Sequence, residues 1–195
     1  VPFLNSAWLT QLIACGGYQV IGKAAITFLF AFCVAAAFAA VTRRIYNRTH
    51  SAMFALGGFA LTMWVEYQQV IVHRPQIVGF LFYSVLLSIL LRREWSNKNW
   101  IVVPAMFALW ANMHGSFVVG LGLLGCFVIG RGVDLVRRTG KLASLFRDSK
   151  LRRLVLLTEL GAVAALLNPY GLSLYTEVLS FGRPPNMQSL AEWKD

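Results

Sequence analysis

Six apolar runs constrain the fold of this chain more than any other feature of the sequence. They cover residues 22–41, 52–72, 77–91, 100–111, 117–130 and 154–167, with short polar breaks between them. The runs lack the alternation of polar and apolar residues that is typical of strands in an outer-membrane barrel. Overall, 57% of the residues are hydrophobic and only 13% are charged, which is unlike a soluble domain. The sequence therefore predicts an all-α fold, a polytopic transmembrane helical bundle.

Several of these runs are short for membrane spans. A helix of 12 to 15 residues is about 18 to 23 Å long, whereas the hydrocarbon core of a bilayer is roughly 30 Å thick. We therefore expect some helices to continue into polar residues or to stop inside the membrane. The first residues, Val1 to Ser6, do not resemble a signal peptide, so we expect the chain to be part of a longer protein.

The basic residues predict an orientation for the bundle. Of the 18 lysines and arginines, three lie within residues 43–48, three within 92–98 and eight within 131–153. Because cytoplasmic loops of membrane proteins accumulate Lys and Arg, these loops are expected on the cytoplasmic face of a bacterial inner membrane. The formal charge of +10 is then explained by contact with anionic lipids, and no nucleic-acid partner is expected.

This orientation predicts a single transmembrane domain over residues 1–195. Residues 1–21 and 168–195 are expected to form segments at the outer face. Residues 22–130 would contain five membrane segments, residues 131–153 a basic amphipathic cytoplasmic loop, and residues 154–167 a sixth membrane segment.

The run from residue 100 to residue 130 is interrupted by Asn112-Met-His-Gly115, an amide, an imidazole and a helix-breaking glycine. Polar groups inside a hydrophobic segment usually line a cavity, pair with one another or do chemistry, because the bilayer cannot hydrogen-bond them. One long kinked helix would put the basic loop 131–153 on the wrong side. We therefore predict two short helices that meet at this break.

The same orientation brings other polar residues to the outer face, where a convergent polar pocket would account for them. Arg74 would pair with the phosphate of a phosphate-bearing or lipid-linked ligand, and His73 and His114 would donate hydrogen bonds or carry protons. The candidate pocket residues are Glu66, His73, Arg74, Gln76, Asn112, His114, Asn168 and Tyr170.

Each of these residues also has a structural interpretation. Arg74 before Pro75 is compatible with a helix start at headgroup level, and Asn168-Pro-Tyr-Gly171 is a turn signal by itself. Glu66, His73 and His114 do not have the spacing of a known metal motif, so we predict neither a metal nor any other cofactor. The three cysteines lie far apart in apolar surroundings and predict neither disulfides nor a metal site.

Five motifs together carry a resemblance to known proteins. They are Asn5-Ser-Ala-Trp-Leu-Thr-Gln11, Arg74-Pro-Gln76, Leu109-Trp-Ala-Asn-Met-His-Gly115, Asn168-Pro-Tyr-Gly171 and Glu192-Trp193. In this order they resemble a largely uncharacterised group of bacterial multi-pass inner-membrane proteins. That group is similar in layout to the GT-C glycosyltransferases, which take a sugar from a polyprenyl-phosphate carrier at the outer leaflet.

The resemblance implies roles for the pocket residues. Arg74 and His114 would face the carrier phosphate, Asn112 would orient His114 or a sugar hydroxyl, and Glu66 would be the catalytic base. His73, Gln76, Asn168 and Tyr170 would help to bind the lipid-linked sugar. One departure weakens this scheme: the group often has a Glu where Ala7 stands, and residues 1–23 contain no acid.

Two alternatives to glycosyl transfer remain open at this point. In the first, the chain is a non-catalytic subunit or scaffold that binds partner membrane subunits. In the second, it is part of a lipid or solute transporter. The missing acid favours the scaffold, whereas the lack of an internal repeat disfavours the transporter. In all three cases we expect membrane lipids to be partners.

Overall fold

The computed structural model describes residues 4–71, 76–92 and 96–180. These residues are all-α, with no strand among them. Their helices are α1 (Trp8–Ile21), α2 (Lys23–Thr49), α3 (Ala52–Ile71), α4 (Gln76–Leu90), α5 (Asn99–Met113), α6 (Phe117–Thr139), α7 (Ser144–Arg147), α8 (Ser149–Ala164) and α9 (Leu172–Ser180).

Five of the helices correspond to the first five apolar runs of the sequence. Two of them, α2 and α6, are long and apolar enough to cross a membrane by length and composition. Helices α4 and α5 and the stretch Ala52–Tyr67 of α3 are apolar but shorter. The predicted break in the run 100–130 is present, because α5 ends at Met113 and α6 begins at Phe117.

Two helices continue well past the C-terminal ends of the apolar runs that predicted them. Helix α2 continues past residue 41 to Thr49, and α6 continues past residue 130 to Thr139. Arg and Lys are good helix formers, so a change from apolar to basic residues does not end a helix. Each helix stops only where the backbone turns left-handed, at His50 (φ 51°) and at Gly140 (φ 65°). Helix α6 therefore takes up the first part of the predicted loop 131–153.

The predicted outer-face segments 1–21 and 168–195 also contain helices. Helix α1 fills most of the first segment and α9 begins the second. Gly22, with φ 67°, joins α1 directly to α2, and a Cβ added at Gly17 would lie 3.0 Å from the Cβ of Ala25. Helices α1 and α2 thus form a tight hairpin, in which α1 packs along the first part of α2.

Most of the buried side chains lie between α4, α5, α6, α8 and α9, around Trp110 and Phe107, neither of which is exposed. The rings of Phe82 and Phe107 stack on Trp110, with centroid distances of 5.5 and 5.7 Å. A smaller cluster joins α2 to α4 and to the end of α5, through residues such as Phe30, Ile77 and Met113. Both clusters thus meet at the C-terminal end of α5.

The helix directions place the basic residues together at one end of the bundle. Helices α5 and α8 run side by side, since Phe107 contacts Gly161 and Asn112 bonds to Leu167, and α6 runs back from the turn that follows α5. Near the far end of α6, Arg131 pairs with Asp148, 2.6 Å from guanidinium nitrogen to carboxylate oxygen.

Asp148 also caps α8, because its carboxylate accepts the backbone N–H of Leu151 at 2.7 Å. The hydrogen bond from Arg131 holds the pKa of the Asp148 carboxyl below its ordinary value. This carboxyl therefore stays charged at neutral pH and fixes the start of α8 against α6.

Close packing of α8 on α5 depends on Gly161. A Cβ added there would lie 2.8 Å from the ring of Phe107, whereas one added at Gly122 on α6 would meet nothing within 4 Å. We expect Gly161→Ala to destabilise the protein by about 1–3 kcal/mol through overpacking. Gly122→Ala is the matched control and should be neutral or stabilising by up to about 1 kcal/mol. Thermal unfolding in detergent measures both, and equal shifts for the two variants would contradict this packing.

Candidate functional site

The connection between α5 and α6 is the centre of a polar cluster, which consists of Trp8, Thr10, Asn112, His114 and Ser116. Asn112 lies in the last turn of α5. Its side-chain amide donates hydrogen bonds to the carbonyl oxygens of Ala108 and Leu167, at 2.7 and 2.8 Å. Its side-chain oxygen accepts the indole N–H of Trp8 at 3.1 Å. One side chain therefore joins α1, α5 and the segment that follows α8.

Thr10 provides a second link from α1 to the same connection. The Thr10 side chain is only 2% exposed, and its hydroxyl donates to the carbonyl oxygen of Met113 at 2.7 Å. The last carbonyls of a helix have no partner within the helix, and burying them unpaired is costly. Thr10 satisfies one of these carbonyls at the point where α5 ends.

His114 is held by Ser116 within the turn itself. Its Nδ1 accepts the backbone N–H of Ser116 at 3.1 Å and lies 2.8 Å from the Ser116 hydroxyl. That hydroxyl in turn accepts the indole N–H of the fully buried Trp110 at 3.0 Å. A ring nitrogen that accepts a hydrogen bond carries no proton, so this network assigns the proton of the neutral ring to Nε2. Burial also lowers the pKa of His114, which favours the neutral imidazole.

Two glycines allow neighbouring segments to approach this turn closely. A Cβ at Gly79, on the first turn of α4, would lie 2.1 Å from the Ser116 hydroxyl oxygen and 3.5 Å from Nδ1 of His114. A Cβ at Gly115 would lie 3.1 Å from Val178 on α9 and 3.3 Å from the Ser6 hydroxyl oxygen. The turn is therefore surrounded by α4, α9 and the segment before α1.

The predicted site residues fall into three groups. Asn112 and His114 lie in the cluster. Asn168 lies next to it, since Leu167 bonds to Asn112, but its own side chain closes a local turn by bonding to the Ala165 carbonyl and the Tyr170 N–H at 2.6 and 2.8 Å. Tyr170 is half-buried and packs against the larger apolar cluster.

The remaining predicted residues are not brought to the turn by any described contact. Gln76 is exposed at the start of α4, and Glu66 is half-buried on α3, a helix that packs mainly against α2. His73 and Arg74 lie outside the described residues, as do Glu192 and Trp193. Their predicted roles stay predictions.

Thr10, Ser116 and Gly79 belong to this site although none of them was among the predicted site residues. A threonine, a serine and a glycine are common in apolar helices, so their types carry little signal. Trp8 belongs to the first motif, and its indole N–H is a partner of Asn112. Only the three-dimensional contact shows this pairing.

Two open cavities among the described residues lie away from the polar cluster. One, of about 700 Å³, is apolar and lies between α2, α3 and Ile77. The other, of about 1100 Å³, lies at the basic end of the bundle. Neither is lined by Asn112, His114 or Asn168. The polar side chains of the turn are packed against one another and against backbone.

Comparisons with models of protein families, with curated proteins and with solved structures found no match. Among the described residues, no three His, Cys, Asp or Glu side chains lie close enough to hold a metal ion. Fold and site together define an all-α protein with a hydrogen-bonded polar cluster at one end and basic helix ends at the other.

The bonds of Asn112 make it the residue on which this end of the bundle depends. Asn112→Ala leaves the Trp8 N–H and the Leu167 carbonyl without a partner, so we expect a loss of about 1–3 kcal/mol of stability. Asn47→Ala, at an exposed site on α2, is the matched control and should change stability by less than about 0.5 kcal/mol.

A double-mutant cycle isolates the contact between the two side chains. Trp8→Phe keeps an aromatic ring at this position and removes the N–H donor together with part of the indole. If Trp8 and Asn112 interact as described, the effects of Trp8→Phe and Asn112→Ala on thermal stability will be non-additive by about 0.5 kcal/mol or more. Simple additivity would contradict the contact.

Proposed function

We propose that this chain is a polytopic protein of the bacterial inner membrane. Large apolar side chains on α2 and α3 face outward, which suits contact with lipid tails: Phe28 and Phe32 are each 68% exposed and Trp64 is 77% exposed. Helices α2 and α6 are long enough to cross alone. The shorter helices α3, α4 and α5 would cross with polar ends or stop within the membrane. Helices α4 and α5 can stop there because one side of each helix is buried in the protein.

The orientation follows from the distribution of charge. Basic residues collect where α2 and α6 end and where α8 begins, whereas the polar cluster lies at the opposite end. Under the positive-inside rule, the basic end would be cytoplasmic and the polar cluster would lie at the outer leaflet.

Within that membrane we propose a GT-C-like glycosyl transfer from a lipid-linked sugar. The observation that carries this proposal is the convergence of the motifs. Ser6, Trp8 and Thr10 of the first motif contact the third motif at the turn, and so does Leu167, which precedes the fourth. Gly79, three residues after the second motif, lies close to the same turn. The first and third motifs, which lie far apart in sequence, thus meet at one end, as residues of a shared site would.

His114 and Asn112 have different roles in the proposed reaction. In an inverting transfer, a carboxylate takes the proton of the acceptor hydroxyl. The acceptor oxygen then attacks the anomeric carbon, and the bond to the carrier phosphate breaks. His114, neutral with its proton on Nε2, is suited to donate a hydrogen bond to the leaving phosphate. Arg74 would pair with the same phosphate and Glu66 would be the base. Asn112 is a positioning residue, because its own hydrogen bonds hold the turn.

One observation favours the scaffold as a second candidate. The side-chain amide and oxygen of Asn112, the hydroxyl of Thr10 and Nδ1 of His114 all bond within the chain. A non-catalytic subunit would need no more than this, with the exposed apolar faces of α2 and α3 binding partner membrane helices.

The orientation can be tested with single cysteines at exposed sites at the two ends. In a variant without Cys15, Cys33 and Cys126, Pro169→Cys should react with a membrane-impermeant maleimide in intact spheroplasts. Leu142→Cys, which lies in the turn after α6, should react only after the membrane is permeabilised. If only the cysteine at position 142 reacts in intact spheroplasts, the proposed orientation is wrong. If both cysteines react there, the two ends do not lie on opposite sides of the membrane.

The transferase proposal predicts turnover with a panel of polyprenyl-phosphate-linked hexoses in membranes that contain the full-length protein. Release of polyprenyl phosphate should fall at least about 100-fold in Arg74→Ala and in His114→Ala, because both remove stabilisation of the leaving phosphate. Arg137→Ala, at the opposite end, is the control and should keep full activity. The thermal stability of every variant is measured in parallel.

Two results would contradict the transferase proposal. One is the absence of turnover with every carrier-linked hexose tested. The other is full activity in His114→Ala. If no turnover occurs and substitutions at exposed α2 and α3 positions such as Phe32→Ser remove co-purifying membrane proteins, the scaffold is supported instead.

A further inference from the structure

A second polar site lies at the opposite end of the bundle, in the larger of the two cavities. We call it the basic cleft and define it by five cationic side chains that line it: Arg43, Arg44, Arg48, Arg92 and Lys98. They come from the end of α2, from the second residue after α4 and from the residue before α5. The described residues that line the cleft include no Asp or Glu. The cleft therefore concentrates positive charge on three different elements around one volume.

The positive charges are held close together by the fold. Arg44 donates a hydrogen bond to the backbone carbonyl of Ser88 on α4, which fixes its position between α2 and α4. The charges of Arg43, Arg48 and Arg92 all act on Arg44 and repel it. Such a group of like charges is destabilising by itself, and an anion placed among them removes the repulsion.

A buried amide supplies an independent indication of a ligand. Asn99, at the start of α5, is only 4% exposed and lines the same cleft. Its side chain makes no hydrogen bond with any other described residue. Buried polar side chains almost always have a partner, and those without one usually meet a water, an ion or a ligand. The amide N–H₂ of Asn99 is suited to donate to an oxygen of an anion held by the arginines.

We propose that the basic cleft binds the phosphate groups of an anion that carries at least two negative charges. Arginine favours phosphate because its planar guanidinium matches two phosphate oxygens at once. A cleft of about 1100 Å³ has room for two phosphate groups. These groups belong either to the headgroup of an anionic lipid or to a free phosphorylated compound. This site does not depend on the proposed transferase, whose residues lie at the other end.

The two sources are distinguished with full-length protein in detergent. Native mass spectrometry measures binding of diphosphatidylglycerol, which carries two phosphates, and of zwitterionic phosphatidylcholine. Inorganic pyrophosphate tests the free compound. We expect diphosphatidylglycerol, pyrophosphate or both to bind at least about tenfold tighter than phosphatidylcholine. Binding of the lipid alone identifies a headgroup site, and competition by pyrophosphate identifies a site for free phosphate.

Matched charge variants locate the binding. Each basic residue near an anionic lipid contributes about fivefold in affinity, so Arg43→Gln combined with Arg48→Gln should weaken binding by about 25-fold. The control combines Arg137→Gln with Arg138→Gln, two exposed arginines at the end of α6 with the same change in net charge. It should weaken binding less than about twofold. Equal losses in the two variants, or equal binding of diphosphatidylglycerol and phosphatidylcholine with no pyrophosphate binding, would overturn the proposal.

Asn99 provides a test that does not change the charge. Asn99→Leu keeps the branched shape and the number of side-chain heavy atoms, and it removes the Asn99 amide. We expect weaker phosphate binding together with an unchanged or higher Tm of the ligand-free protein. A lower Tm without any change in binding would show that Asn99 is structural and that the cleft does not use it.

Discussion

The end of α5 imposes the constraint on which the rest of this structure depends. A helix that stops among apolar neighbours leaves its last carbonyl groups without partners, and burial makes that costly. Thr10 of α1 meets this demand by bonding to the Met113 carbonyl, and Asn112 of α5 in turn bonds to the Leu167 carbonyl just after α8. The same bonds hold α1 and the end of α8 against the turn. The hydrogen bonds that give these buried carbonyl groups a partner are therefore the same bonds that join the segments.

Much of the fold could be predicted from the sequence because apolar runs set the positions of the helices. The bounds of α3, α4 and α5 lie within two residues of those runs. The ends of α2 and α6 could not be read in the same way. An apolar run ends where the surroundings become polar, whereas a helix ends where its backbone hydrogen bonds end, at His50 and Gly140. Helices α1 and α9 escaped prediction because short helices of mixed polarity resemble loops.

The candidate site was predictable only in its centre. Asn112 and His114 stand out because an amide and an imidazole are rare in an apolar run. Their partners do not stand out, since Trp8 and Asn112 lie 104 residues apart and nothing in either local sequence pairs them. Asn168 shows the opposite case: a conspicuous motif whose side chain closes its own turn. The basic cleft was seen in the sequence only as separate charged loops, because its shape depends on three helix ends that meet in space.

The bond between Trp8 and Asn112 also has a consequence for the order in which the molecule can be built. Trp8 is synthesised well before Asn112, and the carbonyl of Leu167 completes the contact from a part of the chain made later still. During synthesis, the indole N–H of Trp8 therefore lacks its partner Asn112 until the helices between them have been made. The hydrogen bonds at this end can therefore all form only after α8 and Leu167 have been synthesised.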